Sequence, residues 1–299
     1  MENRDMKQQN MLQTKDKIGG FAFTAATISI LVVSLVLAFF KIENEDLKSY
    51  LSFLLPSLAL ILALFVTFKY FKLPFKPALQ LFNFKFKKRY YFVIVLACIG
   101  TLWGLSELNS LFIKFLSRFG YEEQASTLPS LSVWSVILAT MIIAMLPAIL
   151  EEFLFRGLVM NGVASYSKIL AIFITAALFS IYHMSPAKTA YQLVVGIIFT
   201  LICLKSGSLI PTIIIHFLNN FLIILNIYFN IFAFVESNKI LFICIGLVCL
   251  VVAGVIVFLD KNVGFKMEEK KGSISNFFMY ALGGILGCAA IWLAGYKLW

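Results

Sequence analysis

Of 299 residues, 61% are hydrophobic and 13% are charged, about half the charge content of a soluble domain. This excludes an ordinary water-soluble enzyme and points to a polytopic membrane protein. The net charge of +10 does not argue for nucleic acid, because membrane proteins gather basic residues in their cytoplasmic loops. The five cysteines, Cys98, Cys203, Cys244, Cys249 and Cys288, fall in apolar stretches without metal-ligand spacing. They read as small hydrophobes, not as a disulfide framework.

In chain order, a charged tail from Met1 to Lys17 precedes a first apolar stretch at 19–40. That stretch is longer than the apolar region of a signal peptide, and no small-x-small cleavage site follows it, so it reads as a retained anchor helix. Further spans are expected at 50–71, 90–112, 133–165, 169–184, 190–204, 208–232, 239–259 and 277–296. Crossing a bilayer takes about 20 residues, which leaves the fifth and sixth spans short. Pro147 should kink the fourth, and Pro56 and Pro211 should bend or start theirs. Between spans two and three, residues 74–89 interleave phenylalanine with lysine. They should lie in the inner interface, rings among headgroups and ammonium groups toward anionic lipid. Gly100/Gly104 and Gly283/Gly287 are Gly-x-x-x-Gly pairs that let helices approach closely.

The expected fold is therefore all-α, a polytopic membrane bundle of about nine transmembrane helices. Charge placement orients it. With the N-terminus inside, the inner segments hold Arg4, Lys7, Lys15, Lys17, Lys69, Lys72, Lys76, Lys85, Lys87, Lys88, Arg89, Lys168, Lys205, Lys261, Lys266, Lys270 and Lys271. The outer segments hold only Lys41, Lys48, Lys114, Arg118, Lys188, Lys239 and Lys297. That asymmetry favours a cytoplasmic N-terminus.

The informative anomaly is in the fourth span, where Glu151, Glu152 and Arg156 sit in the apolar run at 148–157. Ionisable groups at membrane depth are expensive and mark function. Glu152 and Arg156 are four residues apart with the acid first, the favourable order for a helical ion pair. Glu151 points about 100° away, free to face a wet cavity as a general base. The bland reading is a structural pair locking two helices. Phe179 and His183 share a face of the fifth span, so the ring can buttress the imidazole. His216 and Asn220 repeat that spacing in the seventh, and both can donate hydrogen bonds to a developing oxyanion. Together they put a base, an orienting pair and donors on three helices. The shortest wet path to them should come from the cytoplasmic side, past Leu209 at the start of span seven.

Glu-Glu-x-x-x-Arg at 151–156, Phe-x-x-x-His at 179–183 and His-x-x-x-Asn at 216–220 occur in the order seen in the CAAX-protease and bacteriocin-processing (CPBP, Abi-like) family. The chain resembles these intramembrane endopeptidases over roughly residues 130–225. Residues 1–129 would supply the tail and first three helices, and 226–299 the C-terminal helices. The resemblance implies a glutamate-activated water attacking a peptide bond, with no covalent intermediate and no cofactor. Carried over, Glu151 is the base and His183 positions the water. His216 and Asn220 form the oxyanion hole, while Glu152 and Arg156 orient the site. Partners would be membrane lipid and a peptide or lipidated-protein substrate, with no nucleic acid.

Three other readings stay open at this point. Two histidines and a glutamate could hold zinc, but no His-Glu-x-x-His helix is present and asparagine is a poor zinc ligand. A non-proteolytic membrane regulator or bacteriocin-immunity protein could use the same scaffold. A transporter could place Glu107 on an ion path, but Glu107 reads as interfacial and no half of the chain repeats. The Lys-, Ile- and Phe-rich composition points to a bacterial plasma membrane.

Overall fold

The computed structural model describes residues 15–74, 80–122, 128–164, 166–261 and 273–294. Arg4, Lys7, Lys76, Lys266, Lys270, Lys271 and Lys297, which entered the charge asymmetry, lie outside the described residues, as do positions 75–79 of the Phe/Lys segment.

Each expected apolar span is a helix: α1 (Lys15–Phe39), α2 (Glu45–Tyr70), α3 (Arg89–Ser117), α4 (Val133–Ala164), α5 (Lys168–Tyr182), α6 (Thr189–Ser206), α7 (Ile210–Phe229), α8 (Lys239–Phe258) and α9 (Ile274–Ala294). The protein is an all-α bundle, and eight of its helices are long and apolar enough to cross a membrane. α5 is the exception at 15 residues. Its rise of roughly 22 Å is shorter than a hydrocarbon core. The expectation that span six is also short is corrected. A 3-10 turn at Pro186–Lys188 leads into α6 and brings the span to 21 residues. Sequence reading began the span at 190 and so left out Thr189. Its hydroxyl is satisfied inside the bundle, accepting from Trp292 Nε1 at 2.7 Å and donating to the Ser185 carbonyl at 3.1 Å.

The helices alternate in direction, and contacts at the two ends of the bundle fix the alternation. At one end the Ser273 amide donates to Asp16 at 2.9 Å, the Leu209 amide to the Leu81 carbonyl at 2.9 Å, and Lys87 pairs with Asp260 at 2.6 Å. Lys205 Nζ joins them, donating to the Asp260 carbonyl at 2.9 Å. At the other end Asp46 accepts from the Ser130 amide at 2.9 Å, Tyr228 donates to the Pro129 carbonyl at 3.0 Å, and Lys239 pairs with Glu107 at 2.7 Å. The first end carries Lys69, Lys72, Lys85, Lys87, Lys88, Arg89, Lys168 and Lys205 and is here called the basic end.

Two helices depart from regular α geometry. α3 passes through a π turn at Gly100–Gly104 and restarts at Leu108. α4 contains two π turns, Thr140–Met145 and Phe153–Val159, one on each side of the short α segment Leu146–Glu152. Pro147, the second residue of that segment, has no N–H to give the turn before it, so the helix opens just upstream. π turns inside α-helices concentrate at functional sites. Pro211 occupies the first turn of α7, as expected, whereas Pro56 lies within α2.

The first Gly-x-x-x-Gly pair is a crossing point. A Cβ on Gly104 would meet the Gly246 carbonyl carbon at 2.7 Å and the Leu247 nitrogen at 2.9 Å, so α3 and α8 touch backbone to backbone. Backbone atoms cannot rotate out of the way. Gly246→Ala should therefore lower the melting temperature of the purified protein by several degrees. Gly254→Ala, on the same helix with nothing within 4 Å, should leave it unchanged or slightly raised. Equal melting temperatures for the two variants would contradict the crossing.

The Phe/Lys segment is only partly interfacial, which corrects the expectation for it. Phe84 is exposed, but Phe86 is buried, and Phe82 stacks on Phe153 with ring centroids 5.6 Å apart. Helix starts leave backbone N–H groups unpaired, and this segment supplies partners for the start of α7. The Leu81 carbonyl takes the Leu209 amide, and the Asn83 carbonyl takes the Ser208 hydroxyl.

Candidate active site

Arg156 is fully buried and sits in the second π turn of α4. Its Nη1 donates to Glu152 Oε1 at 2.9 Å, and its Nη2 to the Gly196 carbonyl at 3.2 Å. Two rings enclose the guanidinium, Phe179 at 4.5 Å and Phe199 at 5.4 Å from centroid to Cζ. A planar, delocalised cation fits such a slot, and an ammonium does not. α4, α5 and α6 are thus tied together through one side chain.

Glu152 carries that order to α7. Its Oε1, already held by Arg156, is 3.2 Å from His216 Nδ1. A carboxylate only accepts, so His216 Nδ1 carries a proton. The Phe179 carbonyl does the same for His183, whose Nδ1 is 2.8 Å from it. Phe179 also packs edge-on against the His183 ring, centroids 4.9 Å apart. In their neutral forms both imidazoles then present an unprotonated Nε2, and both point at one atom. Glu151 Oε2 is 3.9 Å from His183 Nε2 and 4.0 Å from His216 Nε2, and it has no hydrogen-bond partner. Such distances are too long for direct hydrogen bonds.

Exposure differs among the five side chains. The side chains of Glu152 and Arg156 are 0% exposed, His216 is 9%, and Glu151 and His183 are 16%. Only the last three have any exposed side-chain surface. Among the described residues, no group of three or more His, Cys, Asp or Glu side chains is placed to share a metal ion.

The structure brings Glu151, Glu152, Arg156, His183 and His216 into direct proximity. Asn220 lies one turn beyond His216, where its amide donates to the Ile143 carbonyl in the first π turn of α4 at 3.3 Å. Sequence reasoning did not single out Phe199 and Gly196, which complete the guanidinium slot. It also missed Asn219, a buried neighbour of Asn220 whose Oδ1 accepts from the Tyr191 hydroxyl at 3.0 Å. Phe199 and Gly196 have no motif. Their one legible signal is that they share a buried face of α6 with Cys203. The expected path past Leu209 is corrected as well. Leu209 and Ser208 are fully buried beneath the 80–83 segment, which closes that end of α7.

Residues 132–222 match a protein-family model described as type II CAAX prenyl endopeptidase, Rce1-like. Over these residues the chain is similar to that family. The match spans all three motifs and nearly coincides with the 130–225 stretch on which the resemblance rests. It supports assignment to the CAAX-type intramembrane proteases, which agrees with the apolar bundle around the site. No curated protein and no solved structure matches the chain.

Proposed function

We propose that this protein is a glutamate-dependent intramembrane endopeptidase that hydrolyses a peptide bond in a membrane-associated or lipidated protein. The observation carrying this reading is the convergence of the His183 and His216 Nε2 atoms on the unpartnered Oε2 of Glu151. A water with one O–H directed to Glu151 and the other to His183 Nε2 keeps its lone pairs for the carbonyl carbon. Glu151 takes the proton as the C–O bond forms, and returns it to the leaving nitrogen as the C–N bond breaks. Developing charge on the carbonyl oxygen needs donors. Asn220 offers its second amide N–H, and His216 offers Nε2–H in its imidazolium form, with Glu152 as counter-charge. Glu152 and Arg156 are positioning residues. The test is a comparison of membrane proteomes from cells carrying wild type or Glu151→Gln. Fragments or trimmed termini present only with wild type support protease function. Identical proteomes alongside a phenotype that survives the substitution point to the regulator reading.

We further propose that the basic end faces the cytoplasm of a bacterial plasma membrane, which places the N-terminus inside. In a background lacking the native cysteines, Lys85→Cys should react with a membrane-impermeant thiol reagent in inverted vesicles but not in intact cells. Lys41→Cys should do the reverse, since both positions are exposed and lie at opposite ends. Labelling of Lys85→Cys in intact cells would invert the orientation.

A further inference from the structure

A cavity of about 610 Å³, away from the candidate active site, opens toward the end of the bundle opposite the basic end. Except for Tyr191, the residues lining it lie outside the 132–222 family match. Its volume falls in the range of small-molecule sites, roughly 300–1,000 Å³.

Three features of its wall point to a ligand class. The first is aromatic. Trp103 meets Phe242 edge-on at 4.9 Å and Phe232 at 6.5 Å between centroids, and Tyr191 contributes a fourth ring. Such walls attract organic cations. The second is charge. Glu107 is neutralised by Lys239 at 2.7 Å, while Glu236 has only a 3.5 Å contact from the Asn226 amide, so the wall carries a net negative charge. The third is unmet hydrogen bonding. Asn109 Oδ1, an acceptor, and Trp103 Nε1, a donor, are both buried without a partner. Leaving such atoms unpaired is costly, and both belong to residues that line the cavity, where a ligand would supply the missing partners.

The wall is also prebuilt locally. Asn230 ends α7 in the left-handed conformation, φ 49°, and Asn226 Oδ1 caps the returning chain at the Phe232 amide, 2.8 Å away. This turn sets Phe232 and the short helix Ala233–Ser237, which bears Glu236, across from α3. Lys239 is the first residue of α8, so the cavity lies at the level of lipid headgroups.

We propose that this cavity binds a zwitterionic primary amine of the phosphoethanolamine type. The ammonium group sits among the rings with its N–H bonds to Asn109 Oδ1 and Glu236. The phosphate takes the Trp103 N–H and approaches Lys239. A quaternary amine has no N–H for the two acceptors, and a simple anion meets a negative wall. The ligand could be a phospholipid headgroup or a free water-soluble molecule, which share this chemistry.

The experiment uses the full-length purified protein. Equilibrium binding of labelled glycerophosphoethanolamine, the net-neutral phosphodiester, is measured in phosphatidylglycerol nanodiscs, and retention of phosphatidylethanolamine is read by native mass spectrometry from mixed-lipid nanodiscs. Saturable binding of the free compound assigns the water-soluble source, and selective lipid retention assigns the headgroup source. In either arm Glu236→Gln and Asn109→Leu should each weaken binding at least about ten-fold, the scale of a lost charge-assisted hydrogen bond. Glu236 is exposed, so its substitution should leave melting unchanged. Absence of binding in both arms would overturn the proposal. So would unchanged affinity in both variants, or equal binding of glycerol phosphate, which lacks the amine. None of these outcomes depends on peptide hydrolysis at Glu151.

Discussion

Glu151→Gln should slow peptide hydrolysis by roughly 10²–10⁴-fold, the usual contribution of a positioned general base, while the protein folds and melts like wild type. The amide preserves the volume and shape of the side chain but cannot take a proton from water. Nothing in the framework of the site depends on Glu151. The buried pair of Glu152 and Arg156, the Gly196 carbonyl contact and the Glu152–His216 contact all bypass it. Glu151 Oε2 itself has no hydrogen-bond partner to lose. Activity and stability should therefore separate cleanly at this position. The assay is cleavage of a peptide found in the proteome comparison, with melting temperature measured on the same preparation. Near-wild-type cleavage by a well-folded Glu151→Gln protein would end the glutamate assignment. A zinc enzyme would lose activity on treatment of the pure protein with a chelator, whereas the proposed mechanism is indifferent to one.

Much of the framework was legible because the bilayer imposes simple rules on a chain. A helix satisfies its own backbone hydrogen bonds, so uninterrupted apolar runs became helices close to their expected bounds, such as 133–165 against Val133–Ala164. The acidic pair stood out because carboxylates at that depth are rare. Helical spacing then put Glu152 beside Arg156 and Phe179 beside His183. What spacing could not carry was contact between helices. The Gly196 carbonyl and the Phe199 ring lie on α6, about 40 residues from the arginine they hold, and neither belongs to a motif. The π turns were also hidden, because their cause is an opened backbone with no signature composition. The two in α4 matter to the site, since one carries Arg156 and the other offers the carbonyl that takes the Asn220 amide. The closed start of α7 was missed for the same reason. Its cover, Leu81, comes from a loop that reads as lipid-facing by composition alone.

Arg156→Ala is the substitution expected to harm both function and fold. In wild type the guanidinium neutralises Glu152 in a site with 0% exposure for both partners. Removing it leaves a buried carboxylate without a counter-charge, and breaking such a pair costs about 3–5 kcal/mol. It also empties the slot between Phe179 and Phe199 and frees the Gly196 carbonyl, so three helices lose a shared anchor. Activity should fall because Glu152 would no longer be held where it orients His216. Arg156→Lys should not restore either property, since an ammonium cannot reach two acceptors in the guanidinium's plane while lying flat between two rings. The informative comparison is with His216→Ala. That change should abolish cleavage with a smaller effect on melting, because His216 contacts Glu152 from one side only and leaves the arginine pair intact. Combining Arg156→Ala with Glu152→Ala tests the pairing directly. The double variant should melt higher than Arg156→Ala alone, because it removes the stranded charge. Wild-type melting temperature in Arg156→Ala, or a double variant that melts lower than either single one by the sum of their losses, would show that the two residues are not an energetically coupled pair.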